Sequence, residues 1–192
     1  MPFPLPFIPK AAYSGSHKGR RHFGAPRDNH TRKHAGCDLI APLGTDVFAV
    51  ADGTVYEFSP AFYNGTAAIA IQHPNLPGMK ENGKYIVRYC EVLDGRKDAA
   101  CFGSLRLGDK VSAGQTVAKV GKMITDSMLH FELYTGEVTE KSRLSPPKGR
   151  LDTSKYDEKF KRRKDLMDPT QLLDELSKDL VMVFTLKETS QA

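Results

Sequence analysis

The chain of 192 residues lacks a matched set of cysteines: it has three, Cys37, Cys90 and Cys101, and no C-x-x-C pair. So odd and scattered a set argues against a disulfide framework and against a thiolate zinc site. Reduced thiols are expected, with a single Cys90–Cys101 bridge as the alternative. No apolar run approaches the ~20 residues of a membrane-crossing helix, so no membrane span is expected. The opening "MPFPLPFIPK" is apolar, but four prolines break it. Without a basic start and a continuous apolar stretch, it does not read as a Sec-type signal; an extended, polyproline-like arm is the expectation. Internal repeats and nucleic-acid-binding motifs are also missing, so nucleic acid is not an expected partner.

Positive charge is present in excess, at a net +5. Much of it lies in "HKGRRHFGAPRDNHTRKH" (17–34) and "KFKRRK" (159–164). Such runs are most often solvated faces; where they do bind, they favour polyanions such as an anionic cell wall.

The pattern divides the chain into three parts. Residues 1–33 form a basic arm rich in proline and glycine, packed on a domain without regular structure. From 34 to 136 short β-rich runs alternate with glycine-rich turns, which indicates a mainly β, antiparallel architecture. "DVFAVADGTVYEF" (46–58) carries an Asp52-Gly53 hairpin signal. "TAAIAIQH" (66–73), "KYIVRYCEVL" (84–93), "LRLGDKVSAGQTVAKVG" (105–121) and "MLHFELYT" (128–135) supply further strands. Residues 137–192 are a loop and a helical extension packing on the sheet. Its helix is expected over 168–180, opened by Asp168-Pro169-Thr170, with leucines at 172, 173, 176 and 180.

Chemistry concentrates in two segments. In "HAGCDLIAPLG" (34–44), His34 and Asp38 bring an imidazole and a carboxylate close together on a loop entering a strand, a plausible pair of zinc ligands. A catalytic zinc needs about three protein ligands and an open position. His130 in "SMLHFELYTG" is a candidate third: alternation puts Met128, His130 and Glu132 on one face of the strand and Leu129 and Phe131 on the other. A lone strand histidine is otherwise more often structural.

The motifs of these segments resemble a known family. "HAGCDLIAPLGTDVFAVADGTV" is similar to the H-x-G-x-D signature segment of the lysostaphin-type (LytM-like) zinc endopeptidases of bacterial peptidoglycan. "LGDKVSAGQTVAKVG" resembles that family's V-x-x-G-Q hairpin, "MLHFELY" its H-L-H-F-E strand, and "FGAPR" its F-G-x-R. The resemblance covers roughly residues 20–136. It implies the family's β-sheet groove, with Zn2+ held by His34, Asp38 and His130, and Arg27 bracing the loop or positioning substrate. The family places two further histidines around the metal; Met128 and Glu91 stand at those positions here.

Two functions follow from that departure. In one, the protein is a zinc-dependent peptidoglycan endopeptidase in which Glu91 serves as base and Tyr89, on the same strand face, donates to a developing oxyanion. In the other, it is a catalytically inactive wall-binding or regulatory protein of the same fold. Glu132 is expected to orient His130, and Cys37 to pack as a small buried side chain. "VGKM" (120–123) also resembles the modified-lysine turn of biotinyl and lipoyl domains, a weaker reading that would modify Lys122. Expected partners are a peptidoglycan peptide, a secretion-system or phage delivery component, and an immunity protein. Such a protein would reach the periplasm or cell wall by a non-classical route, as an antibacterial effector or phage lytic protein with the proline-rich start as its docking arm.

Overall fold

A computed structural model describes residues 1–14, 20–94, 102–124, 126–138 and 142–189, with 181–189 described by backbone alone. His17 and Cys101, and with Cys101 the alternative Cys90–Cys101 bridge, lie outside these residues.

The first elements are short: β1 (Pro26–Arg27), β2 (Arg32–Lys33), β3 (Cys37–Ile40) and β4 (Asp46–Phe48). The long strands follow, β5 (Gly53–Ser59), β6 (Ala67–His73) and β7 (Tyr85–Val92), then β8 (Lys110–Val111), β9 (Thr116–Lys119) and β10 (Met128–Tyr134). The C-terminal part adds β11 (Tyr156–Asp157), β12 (Arg162–Arg163), β13 (Leu166–Met167) and α1 (Thr170–Thr189). The central antiparallel sheet runs β13-β10-β7-β6-β5-β8, with β3 also paired to β10. The fold is thus mainly β with one C-terminal helix.

Alternation explains the two faces of β10. Leu129, Phe131 and Leu133 enter the main core with Ile69, Ile71, Val87 and Tyr89, while His130 and Glu132 point to the other face. That second face is covered too. Leu144 joins Ala70, Ile86 and Tyr134 in a separate small core, with Leu166 of β13 packed against it. The segment expected to be a loop after residue 137 therefore closes over the sheet. Helix α1 starts where expected: Asp168 accepts from Thr170 N at 2.9 Å and from its hydroxyl at 2.6 Å, an N-terminal cap. It places Leu172, Leu173 and Leu176 in the main core.

Two expectations are corrected. Residues 46–58 do not form a hairpin about Asp52-Gly53. β4 pairs with β9 and β5 with β6 and β8, because Ala49, Val50 and Ala51 run through the core between them. Gly53 serves close approach: a Cβ there would lie 2.6 Å from Gln72 O. The proline-rich start also does not project as a docking arm. Phe3 and Leu5 are buried in the main core, and Phe48 N donates to Pro4 O at 3.0 Å.

Candidate metal centre and cleft

Three side chains meet at one point on the covered face of the sheet. His34 precedes β3, Asp38 lies within β3, and His130 lies opposite Asp38 in β10. Their atoms form a triangle: His34 Nε2 to Asp38 Oδ1 is 3.0 Å, His34 Nε2 to His130 Nδ1 is 2.9 Å, and His130 Nδ1 to Asp38 Oδ1 is 2.8 Å. Gly36 makes the pairing possible, since a Cβ there would sit 2.2 Å from Phe131 O and 3.1 Å from His130 Cε1.

The outer nitrogens fix which ring atoms carry protons. His34 Nδ1 is 2.9 Å from His22 O, a carbonyl that can only accept, so Nδ1 carries the hydrogen. His130 Nε2 is 3.0 Å from Glu132 Oε1. Glu132 is fully buried and held as an anion well below the usual carboxylate range. Burial opposes that charge; Arg162, His130 and Arg88 outweigh it. His130 Nε2 therefore donates as well. Two imidazole lone pairs and a carboxylate oxygen are left facing one another within 3.0 Å. Only a cation at their centre, a proton or a metal ion, makes this favourable. Two imidazoles and a carboxylate, each with its outer partner, suit a zinc ion and leave a coordination position open.

Without a metal, a proton takes that place. Burial disfavours a charged His130, but its bonds to Asp38 and Glu132 raise its pKa to about 9. Burial alone would raise the Asp38 carboxyl; its hydrogen bond to His130 is the largest of the effects that outweigh burial and hold it well below the usual range. Burial lowers His34, keeping its ring neutral. Asp38 Oδ2 also accepts from Arg27 of β1 at 3.2 Å.

The triad opens into a cleft of about 480 Å³ lined by Glu91, Met123, Met128, Phe62, Lys161 and Arg162, among others. Glu91 reaches it through a β-bulge. Ala67 pairs with Val92 and Ala68 with Cys90, so Glu91 is the extra residue of β7, at φ 61°. The bulge turns its side chain off the core face. Burial, with Asp38 and Glu132 nearby, raises its carboxyl to about 7 against the opposing pull of His130. Its Oε2 is buried without a hydrogen-bond partner.

The same bulge corrects the expectation for Tyr89. It does not share a face with Glu91: it lies in the core, edge-on to Phe131 with ring centroids 5.7 Å apart. Its hydroxyl accepts from Val50 N at 3.0 Å inside the core, and that location keeps it from an oxyanion in the cleft. Cys37 faces the core beside Thr170, and burial pushes its thiol up to about 12. His30 is exposed outside the cleft.

The basic run at 159–164 is not merely solvated. Arg162 donates from Nε to Glu132 Oε1 at 2.6 Å, and Tyr134 OH donates to Glu132 Oε2 at 2.6 Å. Phe62 lies under the guanidinium groups of both Arg88 and Arg162. Sequence reasoning missed Arg162 and Lys161. The only signal was a cluster of cations, which commonly means a solvated face.

Residues 32–142, more than half of the chain, match the family model described as Peptidase family M23. The chain is 28% identical over 138 residues to the peptidoglycan DD-endopeptidase ShyC of Vibrio cholerae. The match covers 70% of this chain and 28% of that relative, so the chain spans little more than a quarter of its length. Its fold is similar to the catalytic domain of lysostaphin from Staphylococcus simulans, at a TM-score of 0.50 and 21% identity over 80% of this chain and 89% of that one. Against whole lysostaphin the TM-score is again 0.50, at 20% identity, with 81% and 49% covered.

Proposed function

The chain belongs to peptidase family M23, and from that premise we propose that it hydrolyses peptide bonds in the cross-links of bacterial peptidoglycan, with zinc held by His34, Asp38 and His130. The observation that carries the reading is the convergence of three ligand atoms at 2.8–3.0 Å beside a buried Glu91 oxygen without a hydrogen-bond partner.

When bound, zinc supplies Lewis acidity toward a carbonyl and acidifies water. The protein's own groups do the rest. Glu91 lines the cleft, and its carboxyl, with Oε2 unpartnered, would take a proton from the attacking water and pass it to the departing amine. A carboxyl near pKa 7 is matched to both transfers. Glu132 keeps the His130 hydrogen on Nε2. Arg27 holds Asp38 in place from its other oxygen. Met128 lines the cleft without a proton to exchange. The bulge at Glu91 supports hydrolysis over an inactive wall-binding role, because it costs backbone strain to bring a carboxylate to this spot.

The test is product release. Zinc-loaded protein incubated with purified peptidoglycan should free new amino groups, and Glu91→Gln should not while still binding zinc. Wall binding without release would favour the inactive relative. The finer reading, an effector or phage lytic protein delivered to the wall, predicts that periplasmic expression lyses a bacterial host; harmless expression there would count against it. Among the described residues no helix is long and apolar enough to cross a membrane.

A further inference from the structure

The cationic side chains lining the cleft are paired, with one exception. Arg27 meets Asp38 at 3.2 Å, Arg32 meets Asp28 at 2.8 Å, and Arg162 meets Glu132 at 2.6 Å. Lys161 lines the cleft and is only partly exposed, and its ammonium has no hydrogen-bond or ion-pair partner among the described residues.

Its backbone, by contrast, is held from several directions. Lys161 N donates to Asp157 O at 2.9 Å, and its carbonyl accepts from Arg162 Nη1 at 3.0 Å. Asp157 Oδ1 accepts from Lys159 N and Phe160 N. Phe160 stacks on Phe23 with centroids 4.9 Å apart, and Lys159 O accepts from Lys33 N at 2.9 Å. The turn therefore fixes where Lys161 starts, directly before the arginine that braces the metal centre. Its φ is 53°, a conformation that glycine or asparagine adopts with less strain. The turn itself gains nothing from a lysine there; the free ammonium is what the side chain adds.

We infer that Lys161 binds a carboxylate of the substrate, so that the cleft selects wall peptides with a free carboxylate beside the bond to be cut over the same peptides carboxamidated at that group. The inference rests on the cleft being the substrate site proposed above. An ammonium without a protein partner gains one from an incoming carboxylate, in a charge-assisted bond. A lysine reads charge through a mobile point, not the planar fork geometry of arginine. A cation within the triad adds to the same positive field, whereas a neutral peptide meets no group that uses it.

Binding, measured apart from turnover, tests this. Zinc-loaded Glu91→Gln protein would be titrated with two purified cross-linked muropeptide dimers, identical except that the carboxylate flanking the cross-link is free or amidated. The free acid should bind about tenfold tighter, as one charge-assisted bond allows. Lys161→Gly, which suits φ 53°, and Lys161→Gln should each bind both dimers alike; Lys161→Arg should keep part of the preference. Equal binding by protein that retains Lys161, or a preference surviving in both the glycine and glutamine variants, overturns the inference. The two readings fail separately. A preference without product from protein retaining Glu91 counts against hydrolysis and leaves the carboxylate site standing. Equal kcat/KM on both dimers removes the carboxylate site and leaves hydrolysis.

Discussion

At Glu91 two unfavourable features coincide, a left-handed backbone at φ 61° and a carboxylate oxygen buried without a partner. The folded-state pKa of about 7 stands above the ordinary 4.5, so the folded protein prefers the neutral carboxyl. Holding the charge costs nothing below the ordinary value and its full amount above about 7. Glu91→Gln should therefore stabilise metal-free protein at pH 8 by about 2 kcal/mol in denaturant unfolding, while product release falls at least ~100-fold. A variant that loses activity without gaining stability would not fit this role. His130 titrates in the opposite sense. Its pKa, raised from 6.5 to about 9, gives metal-free protein a stabilisation that is complete below 6.5 and lost as pH rises through about 9. The same proton competes with zinc, so affinity in a chelator titration should fall about tenfold per pH unit from 9 to 7. The three ligands were legible because a motif spacing and strand alternation both apply to them. Tyr89 was misread because alternation fails across one inserted residue, and a glutamate gives no sequence sign that it is the inserted one.

Strands place the site through two close backbone approaches, each made at a glycine. Gly36 lets β3 meet β10, which sets Asp38 opposite His130. Gly121 N donates to Glu91 O at 2.8 Å, and a Cβ on Gly121 would lie 2.7 Å from Val92 O and 2.8 Å from Glu91 O. The two positions should separate experimentally. Gly121→Ala displaces the bulge, so it should reduce hydrolysis while zinc content stays near one per chain. Gly36→Ala, with a 2.2 Å clash against Phe131 O, should lose zinc itself. Metal analysis beside product release distinguishes the two outcomes. The existence of these strands was legible in their β-rich runs and glycine turns. Their partners were less so: Asp52-Gly53 carries a hairpin signal, yet the apolar residues 47–51 are drawn into the core and separate β4 from β5.

Across the whole molecule, the C-terminal segment helps build the metal centre. It covers the second face of the sheet with Leu144 and Leu166, and it inserts Arg162 beside Glu132. No local pattern announces this, because a run of lysines and arginines looks alike whether it meets solvent or a buried carboxylate on another strand. Arg162 lies beyond the residues matched to the family, yet it stands two hydrogen bonds from the ligand His130. If Arg162 is removed, Glu132 keeps Arg88, whose nearest approach is 3.6 Å. Arg162→Leu should therefore lower zinc affinity about 10–100-fold by loosening the His130 ring, and cost about 3–5 kcal/mol of stability by leaving a buried charge underpaired. A purely structural role predicts the second effect without the first. Adding Glu132→Gln to Arg162→Leu distinguishes them further. The amide carbonyl can still accept from His130 Nε2, and the underpaired charge is gone. Stability should then recover by more than half, while the zinc affinity remains below that of the unaltered protein because a neutral acceptor polarises the imidazole less. Additive losses in the double variant would show that Arg162 and Glu132 do not act on the metal centre as one unit.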